Sequence, residues 1–304
     1  HLENQKLTFY RGGYDQFERQ RLETMTLHNK AAAKLDAQRK HMEAFINRFK
    51  AKASKAKQAQ SRIKALERMG TMQAIIETDV TPFRFPEAAK EVASPIIAMH
   101  SVETGYETGK PILQRLSLRI DADDRIALLG ANGNGKSTFA KLIGKRLPAF
   151  GGTMTVAPGL KVAFFAQHQL DDLRPEESAV DHVRRLVPGE AESKVRARVA
   201  GMGLSTVKMN TPAKDLSGGE KARLLMGLAA FEGPNLLILD EPTNHLDIDS
   251  REALVEALNE FPGAVILISH DRHLVESTVD RLWIVRNGTV ENFEGDLEEY
   301  KSII

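Results

Sequence analysis

Three features of this 304-residue sequence predict an α/β fold built on a parallel sheet and preceded by an antiparallel α-helical hairpin. From about residue 94 onward, short apolar runs such as 235–239 and 264–268 alternate with helical stretches. One such run leads through a glycine-rich loop into a helical pattern, a strand–loop–helix unit. Upstream, residues 14–69 contain neither glycine nor proline and are rich in Ala, Lys, Arg, Gln and Glu, all strong helix formers.

Composition limits the function classes. Apolar residues at 42% and charged residues at 27% are ordinary for a soluble globular protein, and the length suits about two domains. The absence of cysteine excludes a disulfide scaffold, a thiol nucleophile and a cysteine-ligated metal, and fits a reducing compartment. No apolar run approaches the roughly 18 residues that cross a bilayer. The opening His1-Leu2-Glu3-Asn4 has neither a starting methionine nor a signal-peptide pattern and reads as a cut end.

The first element, residues 1–13, is read as the remnant of a repeat. HLENQKLTFYRGGYDQF at 1–17 aligns with IVRNGTVENFEGDLEEY at 284–300. At an offset of 283, Asn4 meets Asn287, Leu7 meets Val290, Tyr10 meets Phe293, Gly12 meets Gly295 and Phe17 meets Tyr300. Both segments read as strand, turn, strand and the start of a helix. A tandem repeat with the second copy nearly whole accounts for them.

Residues 14–70 form the predicted helical arm. Leu35, Met42 and Phe49 recur every seven residues, and Ala56, Ala59, Ile63 and Leu66 every three or four. Two such stripes cover each other if the chain turns near 50–54. A first helix over 15–49 would be about 50 Å long. The net charge of +1 hides an uneven distribution. Residues 15–70 hold 14 basic and six acidic residues, and the rest 28 and 35. Arg48, Lys50, Lys52, Lys55, Lys57, Arg62 and Lys64 face no acidic residue between 48 and 64. A solvated coiled coil would account for lysine-rich helices, but such surfaces normally carry acidic partners. Gln58, Gln60 and Ser61 add donors for phosphate or sugar oxygens. Nucleic acid is therefore the preferred partner for the tip. Residues 71–93, with Pro82 and Pro86, read as an extended connector.

The second copy, 94–304, carries the chemistry. The strand run 125–129 is followed by Gly130, Ala131, Asn132, Gly133, Asn134, Gly135, Lys136, Ser137 and Thr138, a match to G-x-x-x-x-G-K-[ST] in the strand-to-helix context the motif requires. Glycines let backbone N–H groups converge on phosphate oxygens, and the following helix N-terminus adds partial positive charge. Lys136 would reach the β- and γ-phosphates and Ser137 would ligate Mg²⁺. Asp240 ends the next apolar strand, where open α/β sheets place ligands, and is the expected Mg²⁺ carboxylate. Glu241 follows and can polarise an attacking water. His270, after the strand 264–268, is placed to contact the γ-phosphate. His270 and His273 lack an evident third ligand for a metal of their own.

The order of the glycine loop, Gln167, Leu216-Ser217-Gly218-Gly219-Glu220, Asp240 to Asp247 (DEPTNHLD) and Ser269-His270 resembles the ATP-binding cassette superfamily. The resemblance implies a cassette over about 94–300 with a helical subdomain near 170–230. It implies that Ser217, Gly218, Gly219 and Glu220 close over ATP held by another cassette. It also implies that Gln167 touches Mg²⁺ and water, and that Tyr106 stacks on adenine. The EPTNHLD wording and the basic arm resemble the ABC-F group, whose members carry two cassettes joined by a helical linker. That resemblance implies a cytoplasmic ATPase working at the ribosomal exit site, its linker tip touching tRNA and rRNA. It further implies closure on ATP and release on hydrolysis. The partner cassette would be the first cassette of the same full-length chain or a second copy. Neither composite ATP site is complete within one copy of 1–304, so the isolated chain is expected to be weak or inactive. Two other ATPase classes share such cassettes. A membrane-transporter subunit has no need of a basic hairpin before the glycine loop. A DNA-repair or chromosome ATPase usually carries its coiled coil inside the cassette.

Overall fold

The structure, a computed structural model, describes residues 2–3, 6–7, 9, 20, 83–166, 172–244, 246–297 and 299–300. The predicted arm and its basic tip lie outside the described residues. The chain divides into two compact units, His1–Asp79 and Val80–Ile304. In the first, strands β1 (Leu2–Glu3) and β2 (Lys6–Leu7) pair antiparallel, with Leu2 opposite Leu7.

The second unit is organised by a sheet buried on both faces. Its strands are β6 (Arg125–Leu129), β8 (Val162–Ala166), β9 (Leu236–Asp240), β10 (Ala264–Ile268), β11 (Arg281–Arg286) and β12 (Thr289–Phe293). They stand in the order β12-β11-β6-β10-β9-β8, parallel except for β12. Successive side chains of a strand point to opposite faces. Ile126, Leu128, Ile238, Ile266 and Ile268 accordingly enter one apolar cluster, while Ala127, Leu129, Leu237, Leu239, Val265 and Leu267 enter the other. Continuous apolar runs are the sequence form of such strands.

The two faces have different covers. Phe139, Leu142 and Ile143 of helix α1 (Lys136–Ile143) share the first cluster with residues of a second, antiparallel sheet. That sheet contains β3 (Ile97–Thr104), β4 (Leu113–Leu116), β5 (Arg119–Ile120) and β7 (Ala149–Val156). The other cluster takes in residues of α2 (Ala179–Leu186), α3 (Glu192–Gly201), α4 (Gly218–Ala229), α5 (Ile248–Glu260) and α6 (Arg272–Thr278). Arg125 reaches from β6 to the C-terminal end of α5, donating to the Leu258 and Phe261 carbonyls.

The hairpin β11–β12 turns at Asn287 and Gly288, both with positive φ (51° and 71°), the requirement of a tight two-residue hairpin turn. Val285 stands opposite Val290. With the offset of 283, this is the register of Leu2 opposite Leu7. The two aligned segments therefore share a pairing register at these positions.

The described part of the connector, 83–93, packs into the second unit. Phe83 and Phe85 are buried, their rings meet edge to face at 4.8 Å, and Phe85 meets Phe261 at 5.9 Å. The Arg84 amide donates to the Gly201 carbonyl at 2.9 Å. The connector lies against the second unit through these rings, and burying one aromatic ring stabilises by a few kcal/mol. Replacing Phe85 by Ala is expected to cost about 3–5 kcal/mol, measured by denaturant unfolding of the second unit within the full-length protein.

Candidate functional site

Parallel register brings the carboxyl ends of the central strands to one edge. Ile268 pairs with Asp240, and Ala166 pairs with Asp240 on its other side. Gln167, next along the chain, lies outside the described residues.

The loop after β6 turns on three glycines with positive φ: Gly130 (142°), Gly133 (85°) and Gly135 (104°). At Gly130 a side chain is also excluded by space, since a Cβ would come within 2.5 Å of the Val285 carbonyl oxygen. The Asn134 side-chain amide donates to the same carbonyl at 3.2 Å. The loop thus leans on the end of β11, and α1 begins directly after Gly135.

Lys136 and Ser137 stand on the first turn of α1. The Lys136 ammonium donates to the Gly130 carbonyl at 2.6 Å and to the Ala131 carbonyl at 3.3 Å, with Asn132 Oδ1 at 3.4 Å. Burial lowers its pKa, against the pull of the Glu241 and Asp240 carboxylates. Ser137 Oγ donates to Asp240 Oδ2 at 3.0 Å. A hydroxyl and a carboxylate on one spot are the hard oxygen donors that suit Mg²⁺.

Glu241 turns out of the sheet. Its φ is +52°, a region sparsely populated by residues with a side chain, and its amide donates to the Ile268 carbonyl at 2.8 Å. The carboxylate is 18% exposed and stands 3.6 Å from His270 Nε2. Burial raises its pKa. The His270 side chain and backbone and the Lys136 charge pull it down, while Asp240 pushes it further up. His270 precedes Asp271, which caps α6 by accepting from the Leu274 amide at 3.1 Å. Arg251 pairs with Asp271 at 3.3 Å.

These groups share a cleft of about 610 Å³, lined by Tyr106, Ile112, Asn132, Gly133, Gly135, Lys136, Ser137, Thr138, Asp240, Glu241, Asn244, Ile268 and His270. Tyr106 stands at its rim, 57% exposed, with Lys141 Nζ donating to its hydroxyl at 3.2 Å. Ser217, Gly218, Gly219 and Glu220 are not among the lining residues. They open α4, where the Ser217 hydroxyl accepts from the Glu220 amide at 3.3 Å and the Glu220 carboxylate accepts from the Ser217 amide at 2.8 Å, a reciprocal cap. Asn244 and Ile112 line the cleft without having been assigned a part in the sequence reading. Asn244 sits within the EPTNHLD run, but Ile112 has no motif around it.

Two family models, each described as "ABC transporter", match residues 1–85 and 113–244. The chain is 46% identical over 302 residues to the probable ATP-binding protein YheS of Escherichia coli (strain K12), covering 99% of this chain and 47% of that protein. It is 39% identical over 304 residues to ABC transporter F family member 3 of Arabidopsis thaliana, covering 100% of this chain and 42% of that protein. The chain belongs to the F branch of the ATP-binding cassette family. It spans about half the length of the curated relatives it matches. The cassette fold is also that of the solved "dimeric structure of a post-hydrolysis state of the ATP-binding cassette MJ0796 bound to ADP and Pi". The TM-score is 0.55 and the identity 19%, over 66% of this chain and all of that one. Among the described residues of this cassette protein, no helix is long and apolar enough to cross a membrane, and no cluster of three or more His, Cys, Asp or Glu side chains is positioned to hold a metal.

The raised pKa of Glu241 carries a consequence for stability. A buried carboxyl binds its proton more tightly folded than unfolded, so ionising it costs stability as pH rises through its raised folded value. Below the ordinary carboxylate range that cost is absent. Glu241→Gln, which stays neutral, is therefore expected to be at least as stable as the parent at pH 7. Its advantage should shrink toward pH 4, as read from denaturant midpoints at both pH values.

Proposed function

We propose that this chain is part of an ATP-binding and ATP-hydrolysing ABC-F protein that acts on the ribosome as a translation factor. The observation that carries the ATPase reading is the convergence of Lys136, Ser137, Asp240, Glu241 and His270 on one cleft with an exposed aromatic ring at its rim. The printed name of the E. coli relative describes an ATP-binding protein, and the solved cassette is described as dimeric with ADP and Pi. The first supports ATP as ligand, and the second supports an adenine nucleotide and a second cassette as partner.

In this reading Gly130 to Thr138 cradle the phosphates with backbone N–H groups, and Lys136 adds charge. Tyr106 offers its ring to the adenine. Ser137, Asp240 and Gln167 would hold Mg²⁺, which neutralises phosphate charge when bound. Glu241, whose affinity for a proton is raised by burial, takes the proton of the attacking water. His270 orients the γ-phosphate side of the site. Ser217, Gly218, Gly219 and Glu220 present the capped start of α4 to ATP on the other cassette, which is either the first cassette of the full-length chain or a second copy. Closure on ATP and loosening after hydrolysis make the pair a gated clamp.

The ribosomal part rests on the resemblance of the arm and of the EPTNHLD run to the F group, and the nucleic-acid part on the basic sequence of the arm. Arg48, Lys50, Lys52, Lys55, Lys57, Gln58, Gln60, Arg62 and Lys64 would meet tRNA and rRNA, with no membrane involved and a cytoplasmic location.

Glu241→Gln in the full-length protein should retain ATP binding, lower phosphate release by roughly 100-fold or more, and leave the protein sedimenting with ribosomes in ATP. Release at the parent rate would count against the role given to Glu241. Changing Lys50, Lys52, Lys55 and Lys57 to Ala should weaken RNA binding. It should also reduce the slope of log affinity against log salt by about three, measured by filter binding across a salt series. An unchanged slope would return the arm to a solvated coiled coil.

A further inference from the structure

Two walls of the cleft come from different parts of the fold. One is the glycine loop with the start of α1. The other is the loop 105–112 between β3 and β4, which carries Tyr106 and Ile112 to the cleft. The base of this second loop is closely fitted. The Ile112 amide donates to the Thr104 carbonyl at 2.9 Å, and the Lys110 amide donates to the Glu107 carbonyl at 3.1 Å. Gly105 leaves no room for a side chain, since a Cβ would come within 2.7 Å of the Lys110 carbonyl oxygen. Ile112 lies against the glycine loop, where a Cβ at Gly135 would stand 3.3 Å from its Cγ2.

The Tyr106 ring is set differently. At 57% exposure it gains little from burial, and such a side chain spreads over its rotamers unless a polar contact holds it. Lys141 supplies a contact. Residues three and four apart share a helix face, so Lys141 stands one turn beyond Ser137 and Thr138, which line the cleft. Its ammonium donates to the Tyr106 hydroxyl at 3.2 Å and lies 5.1 Å from the ring centroid. This bond ties the exposed ring to the helix that also carries Lys136 and Ser137. Because it is made at the hydroxyl, on the edge of the ring, it leaves a face of the ring for stacking.

We propose that Lys141 is a positioning residue for the base-binding end of the cleft, holding the Tyr106 ring ready for the base of a nucleotide whose phosphates lie in the glycine loop. Holding the ring in advance lowers the ordering cost that binding would otherwise carry. The ligand in this inference rests on the ATPase reading above; the tether itself does not. Lys141 acts through Tyr106 and not on the phosphates, which separates it from Lys136.

The test is hydrogen–deuterium exchange with mass spectrometry on the full-length protein, using Lys141→Met, which keeps the stem, and Tyr106→Phe, which keeps the ring. Without nucleotide, both variants should speed exchange in peptides covering 105–112 about two- to fivefold, with the rest of the cassette unchanged. With Mg-ATP, the concentration giving half-maximal protection of peptides covering 130–138 should rise about three- to tenfold in each, the worth of one hydrogen bond. The double variant should lose no more than either single one, because both remove the same bond. Mg-tripolyphosphate, which has no base, should protect the glycine loop equally in parent and variants. Equal weakening of ATP and tripolyphosphate by Lys141→Met would overturn the proposal, since it marks a direct phosphate contact. Additive losses in the double variant would overturn it too, as would loop 105–112 exchanging at the parent rate. If ATP does not protect the parent protein, the ATPase reading fails, and the nucleotide-free comparison still decides the tether.

Discussion

Burial of the central sheet on both faces is the constraint on which the rest of this structure depends. Five parallel strands pass side chains alternately into two apolar clusters, and no polar chemistry fits along their length without a desolvation cost. Polar groups can emerge only where the strands end. Because parallel strands all end on the same edge, Asp240, Glu241 and His270, far apart in sequence, are delivered to the place where the glycine loop leaves β6. The site is a by-product of packing before it is an arrangement of chemistry.

That logic explains what could be read before the structure. The glycine loop, Lys136, Ser137, Asp240 and Glu241 are legible because each sits within a few residues of an apolar run whose end marks the sheet edge. The alternation of strands and helices gave the α/β class for the same reason. Phe83 and Phe85 were hidden by Pro82 and Pro86, which signal an extended chain but say nothing about what it lies against. Their burial depends on Phe261 and on the Met202 turn, to which Phe83 is bridged. Ile112 was hidden by distance along the chain. It has no motif, and its proximity to the loop at Gly135 follows from the folding of the antiparallel sheet.

The signature residues show a different kind of gap. Sequence resemblance assigned Ser217 and Glu220 to a ligand, yet within this chain their side chains satisfy the first turn of α4. The two are compatible in physical terms. A helix start whose donors are ordered by a reciprocal cap is a rigid surface, and rigid surfaces lose less entropy when something docks on them. The matched registers of Leu2 with Leu7 and Val285 with Val290 add a geometric likeness to a repeat first seen as aligned letters.

The bonds of Lys136 to its own loop bear on selectivity. Its ammonium is held by the Gly130 and Ala131 carbonyls, so an incoming molecule competes with neutral acceptors already in place. A neutral ligand would exchange one such bond for another with little net change. A polyanion gains from charge what the carbonyls do not offer. On the proposed ATPase reading, the loop would therefore discriminate by formal charge ahead of shape, and a nucleoside lacking phosphates would gain little from displacing those carbonyls.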